Sequence, residues 1–230
     1  MGNASDLSRR NLLSLGVKAT AAGLLAGGLN LTLPPSLEAQ STMTPSAALD
    51  ELVAGNKRFT SGAMTAHEQD LSILKQHTEN KQEPFAAVLS CADSRVPVEL
   101  VFDQSIGHIF VTRVAGNIAT PEIIGSLEYG AAVLGTKVIL VLGHSNCGAV
   151  KAAIQGKEVP GQISCLFPHI QPAVDKAGPN AEEVTKANAK IHAALLRGSS
   201  TVISGMVKAG TLKVVSGYYD VGNGSVTFLE

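Results

Sequence analysis

Three runs of the chain, at 85–89 (FAAVL), 109–114 (IFVTRV) and 138–142 (VILVL), are apolar almost throughout and rich in branched side chains. A strand with one wet face alternates apolar and polar residues; short continuous runs predict parallel strands covered on both faces. Between the second and third runs, 120–134 has helical spacing, and after the third, Gly143 opens into a helical 149–155. This order predicts an α/β fold, a central and mostly parallel sheet flanked by helices. Upstream, 44–61 predicts an amphipathic helix with Thr44 as N-cap, Pro45 in the first turn and apolar Leu49, Leu52, Val53 and Phe59. Residues 62–83 read as a polar connection with a short helix near 70–76, and 156–180, rich in Gly and Pro, as irregular. A long helix, or two broken near Gly198, is expected over 181–207. Runs at 212–219 and 225–229 flank Gly222-Asn223-Gly224, predicting a C-terminal hairpin or edge strand pair.

The first forty residues differ from the rest. Ser8-Arg9-Arg10 precedes a Leu/Ala/Gly-rich stretch to about Leu33, followed by Pro34-Pro35 and the small-residue-containing Leu37-Glu38-Ala39. A basic start, an apolar middle and small residues at the end predict a signal peptide over 1–39, of twin-arginine type, with one domain over 40–230. The alternative, a single membrane anchor, is disfavoured by its glycines and brevity. The mature chain is expected to have no membrane span and to work outside the cytoplasm, in the periplasm or a lumen such as the thylakoid's.

A formal net charge of −1 over 230 residues gives no electrostatic reason to expect nucleic acid as a partner. Function should therefore reside in a local site. The cysteines number three, too few for the even disulfide framework of many exported proteins, so metal is the first explanation for them.

The sequence SCADSRVPVE (90–99) follows the first apolar run. If the strand continued, Cys91, Asp93 and Arg95 would share a face, since alternate side chains point the same way. At the end of the third run, LGHSNCGAV (142–150) supplies His144 and Cys147 where a strand turns into a helix. Open α/β sheets bind ligands at the carboxyl ends of their strands, and two such ends would bring Cys91, His144 and Cys147 together. Two thiolates and an imidazole suit Zn2+. With no fourth Cys or His at ligand spacing, one corner is left for water, whose pKa falls to about 7 on zinc, or for Asp93. The latter arrangement would make the site structural. Cys165 reads as a small buried residue or a spare thiol, and His67, His77, His108, His169 and His192 have no partner motif.

Taken together, Cys91-x-Asp93-x-Arg95 and His144-x-x-Cys147 resemble the β-class carbonic anhydrases. The likeness extends through Phe110-Val111-Thr112-Arg113-Val114-Ala115-Gly116-Asn117, Glu128-Tyr129-Gly130 and Gly143-His144-Ser145-Asn146-Cys147-Gly148, and covers roughly 45–230. The resemblance implies one zinc per chain on Cys91, His144 and Cys147, and reversible hydration of CO2 to bicarbonate through a zinc-bound hydroxide. It implies that Asp93 accepts a hydrogen bond from that group while Arg95 holds the carboxylate off the metal. Gln82, Phe110, Ala115, Tyr129 and Gly148 are implied as substrate-pocket positions. Val88, where a branch with a closing site usually carries Trp, and the matches at Gln82, Phe110 and Tyr129 imply an open site. The resemblance also implies a homodimer or a multiple of dimers, with Gln82, Phe110 and Tyr129 near the subunit interface and the helix at 45–61 embracing the partner. Two other readings stay open: a hydrolase of COS or CS2 on the same scaffold, and a zinc-stabilised scaffold or sensor without turnover.

Overall fold

A computed structural model describes residues 41–66 and 82–229. The predicted leader over 1–39 and the short helix near 70–76 lie outside the described residues. Strand β1 (Ala86–Ser90) and strand β3 (Val138–His144) are buried at every position, as continuous apolar runs require. They pair in parallel, with β2 (Ile109–Arg113) on the far side of β1 and β4 (Lys213–Tyr219) on the far side of β3. Strand β5 (Val226–Leu229) closes the five-stranded sheet antiparallel to β4, giving the order β2-β1-β3-β4-β5. The fold class and the terminal strand pair are as the sequence predicts.

Alternation along the buried strands feeds two cores. Val88, Leu140 and Leu142 pack with Leu52 of helix α1 (Pro45–Ser61), and with Val101 and Phe102 at the end of the short helix α2 (Val98–Val101). Leu89, Ile139 and Val141 pack with Leu127 of α3 (Pro121–Ala132), Leu196 of α6 (Ala181–Ser199) and Ile203 of α7 (Thr201–Lys208). Helix α4 (Gly148–Gln155) leaves the end of β3 as expected. One expectation needs correction. The Gly/Pro-rich 156–180 is ordered as a 3-10 turn (Gly161–Leu166) and helix α5 (Phe167–Ala177), with Pro168 in the first turn, where its missing N–H costs no helical bond, and Pro172 inside. The second reading of 181–207 holds, two helices broken near Gly198: the break falls at Ser200, which caps α7 by accepting the Ile203 N–H at 2.9 Å.

Helix α1 begins as predicted, with Thr44 Oγ1 accepting the Ala47 N–H at 3.2 Å. It lies so close to the chain after α2 that a Cβ on Gly55 would sit 1.8 Å from the Phe102 carbonyl oxygen. Asn56 and Arg58 fasten it there. Asn56 Nδ2 donates to the carbonyls of Val101 (3.0 Å) and Gly224 (2.9 Å), and its Oδ1 accepts the Val226 N–H at 2.9 Å. Arg58 Nε donates to Asp103, a residue whose side chain is wholly buried. Burial opposes ionisation of Asp103, but hydrogen bonds from Arg58, the Ala66 N–H and the Thr65 N–H outweigh it and hold its pKa below the usual carboxylate value.

The inward face of α6 is polar at Thr185, Asn188 and His192. His192 Nδ1 accepts the Ala119 N–H at 3.1 Å, and burial pushes its pKa down from 6.5 to about 4. The unfolded chain therefore takes up a proton below about pH 6.5 that the fold refuses until about pH 4, so stability falls as pH drops through that window. Between pH 7.5 and 4.5 the wild type should lose on the order of 2 kcal/mol more stability than His192→Gln in denaturant titrations. Equal losses would mean that His192 titrates normally in the fold.

Candidate metal centre

The β1–β3 ladder sets the position of the ligands. Ser90, the last residue of β1, pairs with Leu142, so Cys91 emerges beside the end of β3, where His144 stands two residues further on. Asn146, at φ 56°, then reverses the chain and delivers Cys147 as the N-cap of α4. The two sulfurs lie 4.0 Å apart, and the ligand atoms of Cys91, His144 and Cys147 all lie within 4.8 Å of one another. All three residues are buried, and the two cysteines belong to an apolar cluster with Ile118, Val150, Ile170 and Val184.

The structure gathers Asp93 and Arg95 at this site, but not through strand alternation. β1 stops at Ser90, and the chain turns: the Val96 N–H reaches the Asp93 carbonyl at 3.1 Å, and Asp93 Oδ1 accepts the Arg95 N–H at 2.9 Å. An Asp side chain that bonds the backbone two residues on makes such a turn in place of a strand. The Arg95 guanidinium then grips the carboxylate at two points, Nε to Oδ1 at 2.9 Å and Nη2 to Oδ2 at 2.7 Å, and also reaches the Asn146 carbonyl at 3.2 Å. Asp93 Oδ2 stands 3.9 Å from His144 Nε2, yet Asp93 is not among the residues whose ligand atoms converge.

Arg113, at the end of β2, holds the same segment from behind: Nε donates to the Cys91 carbonyl at 3.0 Å and Nη2 to the Asp93 carbonyl at 2.5 Å. The Gly116 N–H donates to Cys91 Sγ at 3.3 Å. Sequence reasoning missed these contacts, together with the turn at Asn146. Their only traces were the residue pairs Gly116-Asn117 and Asn146-Cys147, where an Asn or Gly permits a left-handed backbone.

The electrostatics favour one ionised thiol in the pair. The hydrogen bond from Cys147 draws the Cys91 pKa down, against the opposing effect of burial, with the Gly116 N–H adding to the fall. Cys147 is pushed up by the same hydrogen bond and by burial, so the two thiols ionise unequally. The Arg95 hydrogen bonds hold Asp93 well below the ordinary carboxylate range. His144 Nδ1 lies 2.9 Å from the Ser145 carbonyl oxygen, which makes Nδ1 the protonated nitrogen and leaves the lone pair on Nε2. That buried Nε2 has no hydrogen-bond partner. An orphaned imidazole nitrogen facing two thiols is the donor set of a zinc site with one open corner, and the residues fit Zn2+.

The other predicted site residues divide into two groups. Ala115 is half-buried and precedes the Gly116 N–H, while Gly148 is exposed beside Cys147, where a Cβ would meet open space. Gln82 is exposed at the opposite end of β1 from Cys91. Phe110 pairs in register with Ala87, about 13 Å along the strand from Cys91. Tyr129, 47% exposed, packs its ring 6.3 Å from that of Phe110, so the two form an aromatic pair at the β2 edge of the sheet. Gln82 and Phe110 are therefore set apart from their own chain's metal ligands. Cys165 is an exposed thiol on the 3-10 turn, 3.1 Å from Gln162 Oε1, and so is a spare thiol rather than a buried residue.

Residues 86–226 match the family model described as carbonic anhydrase. A carbonic anhydrase of Mycolicibacterium smegmatis is 36% identical over 190 residues, 79% of this chain and 92% of that one. The Coccomyxa β-carbonic anhydrase, solved with acetazolamide, superposes with a TM-score of 0.62 at 25% identity, covering 79% of this chain and 86% of that one. A tetrameric β-carbonic anhydrase of Sordaria macrospora gives 0.63 at 22% identity, covering 80% and 94%. With its converging Cys91, His144 and Cys147, the chain belongs to the β-class carbonic anhydrases, zinc enzymes that interconvert CO2 and bicarbonate.

Proposed function

We propose that this chain performs the family reaction with an open metal site, in which Asp93 is a hydrogen-bond acceptor beside the metal and Arg95 keeps it from the metal. The observation that carries this reading is the two-point grip of Arg95, which occupies both oxygens of Asp93. Zinc held by Cys91, His144 and Cys147 would supply a water that ionises near pH 7. Asp93 Oδ2, kept ionised by Arg95 and 3.9 Å from His144 Nε2, would stand as a hydrogen-bond acceptor at the open corner of the site. The apolar surroundings of the ligands favour an uncharged substrate over its charged product, and Gly148 leaves the approach to Cys147 free of side chain.

The pocket is read as shared between subunits. Gln82 and Phe110 lie too far along the sheet to serve their own metal, whereas the exposed Tyr129, paired with the half-buried Phe110 at the β2 edge, suits a partner's site. A homodimer or a multiple of dimers accounts for both facts. Residues 1–39 are read as a twin-arginine leader that delivers the folded protein out of the cytoplasm.

Stopped-flow CO2 hydration by residues 40–230, with zinc measured on the same sample, tests the reaction. Fast hydration with about one zinc per chain is expected. A protein full of zinc that hydrolyses COS but does not hydrate CO2 would overturn it in favour of the hydrolase. Asp93→Asn should keep its zinc and lose turnover by about 100-fold or more, the scale of general acid–base assistance; unchanged turnover removes Asp93 from the mechanism. Cys147→Ser should lose metal and activity together, and zinc retained at full occupancy would sink the ligand assignment.

Tyr129→Glu should shift sedimentation from an even-numbered oligomer toward monomer and reduce hydration with it. An oligomer and activity like those of wild type would exclude Tyr129 from the interface. For the leader, a reporter fused after residue 39 should leave the cytoplasm, and replacing Arg9 and Arg10 by Lys should retain it. Export that ignores the lysine pair would rule out the twin-arginine route.

A further inference from the structure

The segment 114–119, between β2 and α3, supplies no metal ligand, yet it reaches the centre through the Gly116 N–H on Cys91 Sγ, at 3.3 Å. Its conformation is unusual, with Gly116 at φ 79° and Asn117 at φ 44°, both left-handed. At its near end, the Val114 N–H is tied to the Ser90 carbonyl at 3.2 Å, and the Asn117 N–H closes a turn on the Val114 carbonyl at 2.9 Å. At its far side it hangs from α6. Asn188 Nδ2 donates to the Gly116 carbonyl at 2.9 Å, and one helical turn on, His192 Nδ1 accepts the Ala119 N–H.

This face of α6 is where packing alone would favour apolar residues. Thr185 sits against the end of β3 so tightly that a Cβ on Gly143 would lie 2.7 Å from its Cγ2. Asn188 is fully buried and His192 almost so. Each carries a buried polar atom without a hydrogen-bond partner, Asn188 Oδ1 and His192 Nε2. An unpaired buried polar atom is costly, so these side chains weaken the fold on one side of the ring or amide while serving the loop on the other.

We propose that Asn188 is a positioning residue for the metal centre. By holding the Gly116 carbonyl, with His192 steadying Ala119, it keeps the Gly116 N–H aimed at the Cys91 sulfur. An N–H···S hydrogen bond fixes the direction of the sulfur's lone pairs and tempers its strength as a donor, so a partner that holds the N–H in place tunes the ligand from outside. Without Asn188, the Gly116 peptide is free to rotate and the Cys91 sulfur loses its fixed donor. The inference rests on zinc binding at Cys91, His144 and Cys147, and goes beyond it by assigning a role to a residue on a different helix that touches no ligand.

Asn188→Leu, which keeps the volume and removes the donor, tests this. Zinc affinity measured at pH 7 by competition with a chromophoric chelator should fall about 10- to 100-fold, the usual cost of losing an outer-sphere partner. In the cobalt-substituted protein the thiolate-to-metal charge-transfer band should move to lower energy, a change that loss of fold stability alone does not produce. Wild-type affinity together with an unmoved band would overturn the proposal. Should Asn188→Leu fail to fold, the 113Cd-substituted wild type decides: the Gly116 amide proton should show scalar coupling to cadmium through the Cys91 sulfur, and its absence would overturn the N–H···S contact. A wild type that takes up neither cobalt nor cadmium would overturn the metal centre itself, whereas a loaded wild type with an indifferent variant overturns only the role of Asn188.

Discussion

The parallel ladder between β1 and β3 fixes the one distance on which the chemistry depends. Ser90 opposite Leu142 is a register locked by burial on both faces, because a one-residue slip would turn Leu89 and Val141 toward the wrong core. From that register, Cys91 and His144 emerge close enough for one ion to bridge them, and the turn through Asn146 adds Cys147. The ladder thus acts as a ruler, and the two hydrophobic cores press it into place. Helix α1, seated on the Phe102 carbonyl and fastened through Asn56 and Arg58, closes the core on one face.

Placing two thiols and an imidazole in an apolar cluster is costly unless something compensates for the lost hydration. The structure compensates in part with fixed donors, the Gly116 N–H on one sulfur and the N-terminus of α4 beside the other. The remainder falls to the cation. Thiols give up their protons when they bind a metal, so metal binding, proton release and the integrity of this corner of the fold would be linked.

Around the ligands, each peptide is held from outside. Arg113 secures the carbonyls of Cys91 and Asp93, Arg95 secures the Asp93 carboxylate and the Asn146 carbonyl, and α6 secures Gly116 and Ala119. Because Arg95 is itself half-exposed, its grip on Asp93 is strong in direction but open to water. The buried contacts from α6 have the opposite character and fix geometry.

The sequence by itself determined strands β1, β2 and β3, most of the helices around them and the three residues that converge as a candidate metal centre. Continuous apolar runs have few other uses, and Cys, His and Cys at two strand ends have few other purposes. It did not determine how Asp93 and Arg95 meet: alternation predicted a continuing strand, whereas the Asp93 side chain captures the Arg95 N–H and turns the chain, a local competition that periodicity does not register. Helix α5 was hidden by its prolines, which are harmless in a first turn and tolerated once tertiary packing supplies the rest of the stability. Asn188 and His192 carried no signal at all, since their partners lie more than seventy residues away and only the packing of α6 on β3 brings them to Gly116 and Ala119. Local pattern decides which residues can be strand, helix or ligand; long-range contact decides which backbone atoms face them, because those partners are chosen by the packing of the whole chain.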